Sequence, residues 1–273
     1  MSDSGDPYKY PGLDVLKNKR DIKDADRLEK FEHERTFLRG YDLQKNPVQG
    51  NFDLAHIKAI HQALFQDVYE WAGKTRTVFI MKGGSMFAHP DFVEKYWQME
   101  HKKIEAQNFL RGMDKEKFTG ELARHYGEIN AIHPFREGNG RSTREYLTQL
   151  AKQAGYELDY SKVDKARWNE AAKQSFDSDP KAMQQVFAAI ATPTKAIAFD
   201  RDKPQDAVRK YPSLKSAFLT IKAAEAYASK VINDPASRHA FISQTRDKVR
   251  ETLAEGKDMP PPQIKSIDKG MSK

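Results

Sequence analysis

The chain has 273 residues, 38% of them hydrophobic and 31% charged, with a net charge of +7 and no cysteine. That is long enough for one sizeable core plus an accessory unit. It excludes disulfides and thiolate metal sites, and no apolar run approaches the length of a membrane span. The basic balance permits acidic partners without selecting one. Lysines are scattered, with no basic run interleaved with aromatics, so no direct nucleic-acid binding is expected. The opening Met1-Ser2-Asp3-Ser4-Gly5-Asp6 has neither a basic nor an apolar signal region, so a cytoplasmic protein without a signal peptide is expected.

Residues 1–22 read as a polar, turn-rich N-terminal arm with a small apolar cluster at Leu13, Val15 and Leu16. Residues 23–42 read as a helix with Leu28, Phe31 and Leu38 inward. Asp53 is the expected N-cap of a helix in which Leu54, Ile57, Ile60, Leu64, Val68 and Trp71 repeat up to Gly73, a C′ stop. His56 and His61 lie five apart, the wrong spacing for a zinc pair, and read as surface or packing histidines. Thr75, Thr77, Val78, Phe79 and Ile80 are strand formers, and Gly83-Gly84 after them is a hairpin signal. Residues 91–110 read as a helix marked by Phe92, Tyr96 and Met99. Asp114 is the expected cap of the next helix, whose inner stripe is Phe118, Leu122, Tyr126 and Ile129.

That helix runs into Ile132-His133-Pro134-Phe135-Arg136-Glu137-Gly138-Asn139-Gly140-Arg141-Ser142-Thr143-Arg144. Pro134 disfavours helical geometry at His133, so the chain breaks there. His133 is the side chain whose ordinary pKa suits a general base near neutrality. Phe135 is expected to anchor the loop in the core. Gly138-Asn139-Gly140 can turn its N–H groups inward at a helix start, an anion cradle. Arg141 and Arg144, three apart, share a helix face and can point at one anion. Glu137 offers a hard oxygen suited to magnesium on a polyphosphate. Together they describe a nucleotide phosphate site with a base at its rim.

The motif helix reads as about 140–154 with Gly155 as its stop, followed by helices at roughly 162–175 and 179–191. Composition shifts at Thr192-Pro193 and at 200–206. The expected domains are an arm at 1–22, a catalytic domain at 23–198, a linker at 199–211, a helical hairpin at 212–256 and a flexible tail at 257–273. Within the hairpin, Asn233-Asp234-Pro235 reads as a cap with Pro at N1.

Residues 133–144 resemble the signature of the Fic (filamentation induced by cAMP) family, His-x-Phe-x-(Asp/Glu)-Gly-Asn-Gly-Arg-x-x-Arg, at every fixed position. The resemblance covers about residues 7–195. It implies a mainly α fold, the Fic-fold helical bundle, with a small β-hairpin flap, here Lys82, Gly83, Gly84, Ser85, Met86 and Phe87, beside the site. The 212–256 hairpin is then a C-terminal helical extension. The implied activity is protein adenylyltransfer: AMP passes from ATP, with Mg2+, to a target hydroxyl. His133 is then the base and Glu137 the metal ligand. Gly138, Asn139 and Gly140 hold phosphates by backbone and side-chain hydrogen bonds, and Arg141 and Arg144 neutralise the β/γ end. An extended target segment pairs with the flap edge. A family branch with lysine in place of Gly140 transfers phosphate instead, so glycine favours AMP transfer.

Many relatives carry an inhibitory helix, (Ser/Thr)-x-x-x-Glu-(Gly/Asn). Glu-Gly occurs here at 137–138 and 255–256, preceded at the Ser/Thr position by His133 and Glu251. The chain therefore resembles the FicT-type class I bacterial toxins, whose inhibitor is a separate small antitoxin with a helix contacting Arg144. The targets implied by that class are the ATPase subunits of DNA gyrase and topoisomerase IV. Two rival readings remain: an effector secreted into host cells to modify host proteins, and a Fic-fold scaffold whose working part is the helical extension.

Overall fold

The computed structural model describes residues 6–82, 85–254 and 257–262. It divides into two units, one of Met1–Ala154 with Leu158–Ala191, the other of Gly155–Glu157 with Thr192–Lys273. The first unit holds α1 (Ala25–Lys45), α2 (Leu54–Phe65), α3 (Val93–Ala106), α4 (Lys115–Ile132), α5 (Asn139–Ala154), α6 (Lys165–Phe176) and α7 (Lys181–Ile190). A short antiparallel hairpin pairs β1 (Met81–Lys82) with β2 (Ser85–Met86), Met81 opposite Met86. A second two-stranded sheet joins β3 (Tyr156–Leu158) to β4 (Ala191–Pro193). No helix among the described residues is long and apolar enough to cross a membrane.

Helix α4 is the centre of the first unit, touched by α3, α5, α6 and α7. Phe118, Leu122, Ala123, Tyr126 and Ile129 recur at helical spacing and are buried, each large side chain contributing about 1.5–3 kcal/mol. Asp114 caps it, accepting from the Lys117 N–H at 2.8 Å, a contact worth ~1 kcal/mol. Asp53 does the same for α2 through the His56 N–H at 2.9 Å. These caps fix where the two helices begin, and α4 in turn fixes where His133 is delivered.

Four expectations shift on contact with the structure. In α1 the buried face is Leu28, Glu32, Thr36 and Leu43, and Leu38 is 54% exposed. The true inner stripe includes two polar residues, which an apolar pattern passes over. Helix α2 ends at Phe65, well before Gly73. The Phe65 carbonyl accepts from Val68 and Tyr69 N–H groups, turning the chain so that Tyr69 stacks on Trp71 at 4.2 Å. The 91–110 helix is broken into a turn at Pro90–Phe92, α3, and a turn at Asn108–Leu110. Its buried face is Val93, Trp97, Glu100 and Ile104, one position on from Phe92, Tyr96 and Met99, which are exposed. Residues 75–80 form no strand: the Arg76 N–H bonds the Pro134 carbonyl, the Thr77 N–H the Tyr8 hydroxyl, and the Ile80 carbonyl the Phe87 N–H.

In the second unit, α8 (Lys195–Arg201), α9 (Pro204–Lys210), α10 (Leu214–Val231) and α11 (Pro235–Ala254) surround Ala198, Phe199, Ala207, Leu214, Ile221, Val249 and Leu253. The stretch expected as a linker, 199–211, is largely helical because Phe199 and Ala207 belong to this cluster. For the same reason the division falls at Ala191/Thr192 rather than near 198. Asp234 caps α11 by accepting from the Ser237 N–H at 2.8 Å, with Pro235 as its first residue. The start of the expected tail is tied down: Asp258 pairs with Lys195 at 2.6 Å and Met259 packs on the cluster. Residues 263–273 lie outside the described residues, as do Glu255 and Gly256.

Candidate active site

Helix α4 stops at Ile132, and His133 takes left-handed backbone angles, φ 47° and ψ 64°. This geometry costs an L-residue roughly 1–2 kcal/mol, so the surroundings must hold it. The His133 ring stacks on Phe87 at 3.7 Å, 13° from parallel. Its Nδ1 lies 3.3 Å from the Asn130 carbonyl oxygen. A carbonyl only accepts, so this contact takes an Nδ1–H and leaves Nε2 as the basic nitrogen of the neutral ring.

Arg76 supplies the hold. It is buried, and its N–H donates to the Pro134 carbonyl at 2.8 Å. Its Nε donates to the His133 carbonyl at 2.7 Å and Nη1 to the Val78 carbonyl at 2.7 Å. Nη2 reaches the Ala88 and Ile132 carbonyls. Burial lowers its pKa, with Tyr8 opposing. One guanidinium thus ties the loop bearing His133 to both ends of the hairpin. Hydrogen bonds to charged groups contribute about 1.5–3 kcal/mol each. Arg76→Ala strips several carbonyls of their donor at once and is expected to cost at least ~3 kcal/mol in urea unfolding. Arg76→Lys, with the charge but no planar fork, should recover less than half of that loss. A melt unchanged by Arg76→Ala contradicts this role.

The hairpin divides into two kinds of residue. Met81 and Met86 are 67% and 63% exposed. Phe87, expected as part of the docking flap, is instead buried against the His133 ring, where the next residue's N–H, Ala88, is bonded to the Ala131 carbonyl at 3.0 Å. Lys82 and Ser85 pair through their backbones. Gly83 and Gly84 lie outside the described residues.

The turn after His133 is built from inside. Phe135 is fully buried and stacks on His61 at 3.9 Å, as an anchor should. Asn139 is also buried; its Oδ1 accepts from the Phe135 N–H at 2.8 Å and its Nδ2 donates to the Phe135 carbonyl at 2.7 Å. Its side chain therefore knits the loop and is not free for phosphate, contrary to expectation. His56 and His61 are both buried. His61 Nδ1 accepts from the Gly73 N–H at 2.8 Å, so its Nε2–H donates to the Glu137 carbonyl at 3.0 Å. Burial lowers its pKa to about 4, so it is a neutral structural group at physiological pH.

Gly138 has φ +80°, and a Cβ there would lie 2.3 Å from the Phe65 ring; only glycine fits. Its carbonyl accepts the first bond of α5, from the Ser142 N–H at 3.0 Å. The N–H groups of Asn139, Gly140 and Arg141 precede that bond and form the open end of the helix. Gly140 is different: a Cβ there meets only Arg144 Nη1, at an ordinary 3.5 Å. Packing does not require glycine at 140, and the space it leaves lies between the helix start and the Arg144 guanidinium.

The two arginines do not share a task. Arg141 Nη2 is 2.5 Å from Glu32 Oε1 and 3.6 Å from Glu137 Oε1. Its Nη1 donates to Thr36 Oγ1 at 3.2 Å, and its guanidinium lies 4.7 Å over Phe65. Arg144 has no carboxylate partner among the described residues. It sits 5.9 Å from the Trp168 ring, and burial lowers its pKa while Tyr160 and Tyr126 oppose. A half-buried cation without a counter-charge among the described residues is costly to leave unpaired, and a guanidinium matches an anion's oxygens bidentately.

The Fic/DOC family model matches residues 51–151. The "Probable protein adenylyltransferase Fic" of Escherichia coli is 38% identical over 188 residues, which is 68% of this chain and 92% of that relative. This chain belongs to the Fic/DOC family. "Protein adenylyltransferase VbhT" of Bartonella schoenbuchensis is 43% identical over 173 residues, 63% of this chain. The matched stretch spans only 36% of VbhT. Among solved structures, the BepC protein of Bartonella tribocorum, a VirB-translocated effector with bound AMPPNP, superposes with a TM-score of 0.64 at 28% identity. That match covers 68% of this chain and 96% of BepC.

Within the Fic motif, Glu137 has the chemistry for magnesium. Its side chain is 47% exposed, and Oε1 accepts from the Gly138 N–H at 2.8 Å. No group of three His, Cys, Asp or Glu side chains that could cage a metal exists among the described residues. One carboxylate beside a phosphate cradle suits an ion that takes its other ligands from phosphate and water. Two partners of the Fic motif escaped the sequence reading. Glu32 and Asp6 each bind a motif arginine, Asp6 gripping Arg136 at 2.6 Å from the N-terminal arm. The only local sign of Glu32 was a polar pair four apart, Glu32 and Thr36, on a face expected to be apolar.

Proposed function

We propose that this chain is a protein adenylyltransferase that moves AMP from ATP to a hydroxyl side chain of a target protein. The observation that carries this is one continuous motif that joins His133, with Nδ1 on the Asn130 carbonyl, to the open start of α5 and to Arg144, which has no carboxylate partner among the described residues. The names of the E. coli and Bartonella relatives agree with it, as does the AMPPNP bound to BepC.

The target hydroxyl gives its proton to His133 Nε2 as its oxygen attacks the α-phosphorus. The bond from that phosphorus to the β-phosphate bridging oxygen breaks, and pyrophosphate leaves. The first N–H groups of α5 and Arg144 hold the phosphates, and fixed donors of this kind stabilise charge without reorganising. Glu137 is the residue that would hold Mg2+, which would supply positive charge against the departing pyrophosphate. The pairing edge of β1–β2 orders an extended target segment near His133, which makes positioning a large part of the rate.

The targets we favour are the ATPase subunits of DNA gyrase and topoisomerase IV in the cytoplasm, with a separate antitoxin placing a glutamate at Arg144. Arg144, which has no carboxylate partner among the described residues, offers a counter-charge to such a glutamate. The second reading, modification of host proteins by a translocated effector, draws on BepC and shares the chemistry. Incubating the purified chain with Mg2+, ATP and a bacterial lysate, then identifying the modified proteins by mass spectrometry, separates them. AMP on the gyrase and topoisomerase IV subunits is the expected result. AMP only on proteins of a host-cell lysate moves the target, and modification of neither lysate sinks the enzyme reading.

A further inference from the structure

We infer that Glu32 is a positioning residue that draws Arg141 away from Glu137 and so keeps the Glu137 carboxylate available to the divalent cation of the nucleotide. The inference rests on the adenylyltransferase reading, in which Glu137 holds that cation. It comes from a competition visible in three side chains. Arg141 stands between two carboxylates and is not shared equally: its Nη2 is 2.5 Å from Glu32 Oε1 but 3.6 Å from Glu137 Oε1.

Glu32 is itself fixed. It is buried on α1, and its second oxygen accepts from the Tyr69 hydroxyl. Thr36, one turn later on the same helix, accepts from Arg141 Nη1 at 3.2 Å. The guanidinium is thereby pinned toward α1, over the ring of Phe65. Glu137 is the next residue but three before Arg141 and is more exposed, 47% against 11% for Glu32. Glutamate and arginine at i and i+4 on a helix start are well placed to close a direct ion pair. Such a pair would occupy the oxygens that a cation needs and cancel their charge. With Glu32 present the three groups sum to one negative charge, and that charge is left on the exposed carboxylate. With Glu32 neutral they sum to zero.

In the same geometry the Arg141 guanidinium is engaged by Glu32 and Thr36. Its work is done sideways, on the position of Glu137. This is the behaviour of outer groups that orient a metal ligand without touching the metal, whose loss typically costs 10–100-fold in metal affinity.

The test compares wild type, Glu32→Gln, Arg141→Gln and the double variant, with Mn2+ binding in the presence of ADP followed by electron paramagnetic resonance. Glu32→Gln is expected to weaken Mn2+ by about tenfold or more and to raise the half-saturating Mg2+ for AMP transfer by the same factor. In the Arg141→Gln background the Glu32 change should have no effect on Mn2+, because the competitor is gone; that coupling is what a double-mutant cycle reads. If Glu32→Gln does not fold, Glu32→Asp, with a shorter reach to Arg141, should show an intermediate loss. Equal Mn2+ affinity in folded Glu32→Gln or Glu32→Asp overturns the inference, as does a loss that persists with Arg141 removed. A wild-type protein that neither binds Mn2+ with ADP nor transfers AMP sinks the underlying reading instead.

Discussion

His133→Ala is expected to lower AMP transfer by about 10²–10⁴-fold, the range for loss of a positioned general base, with ADP affinity nearly unchanged. The two effects separate because the base and the cradle are built independently. The imidazole reaches the site through its stack on Phe87 and the Nδ1 contact to Asn130. The cradle is built from the α5 start, where Gly138 and the buried Asn139 clamp set the turn. Arg76 holds His133 by its carbonyl, not by its ring, so the loop keeps its shape in the variant. Initial rates with α-labelled ATP and calorimetric ADP binding read the two quantities. A variant that still transfers within a few-fold of wild type removes His133 from the chemistry. One that loses ADP shows that the ring also shapes the cradle.

Gly138→Ala and Gly140→Ala should fail in opposite ways. At 138 an alanine pays twice. The φ of +80° costs an L-residue roughly 1–2 kcal/mol. The Cβ set 2.3 Å from the Phe65 ring forces repacking of about 1–3 kcal/mol. A loss of ~2–5 kcal/mol is a large share of a typical stability of about 5–15 kcal/mol. It should appear as a lower urea midpoint, and moving Phe65 also disturbs Arg141, which lies over that ring. At 140 alanine meets only an ordinary contact with Arg144. Stability should hold or rise by about 0.5–1 kcal/mol, as for any helical glycine replaced by alanine. Transfer should drop, because the methyl takes the space between the helix start and Arg144. An unchanged midpoint at 138, or unchanged transfer at 140, contradicts this division of labour.

The motif was legible in sequence because its groups are contiguous: base, carboxylate, turn and arginines lie within residues 133–144. What it binds internally was not. Arg141 finds Glu32 across 109 positions, and nothing local marks such a pairing. Arg76 finds its acceptors on backbone carbonyls, which carry no sequence signature. Asn139 illustrates a third limit, since an amide in a glycine turn can face a ligand or its own loop with the same letters. Helices were found but not always turned correctly. Around α3 the stripes Phe92/Tyr96/Met99 and Val93/Trp97/Glu100 have the same spacing, and the buried one, which goes on to Ile104, is interrupted by a glutamate that hid it. The caps Asp53, Asp114 and Asp234 read correctly because capping is settled within one turn of chain.

The most direct test of the central claim is which phosphorus of ATP reaches protein. The purified chain is given Mg2+ and a bacterial lysate with ATP labelled on either the α- or the γ-phosphate, beside His133→Ala. Protein-bound label from the α position only, lost in the variant, is the predicted result. Label from the γ position contradicts AMP transfer and makes the open space at Gly140 a feature of a phosphotransferase instead.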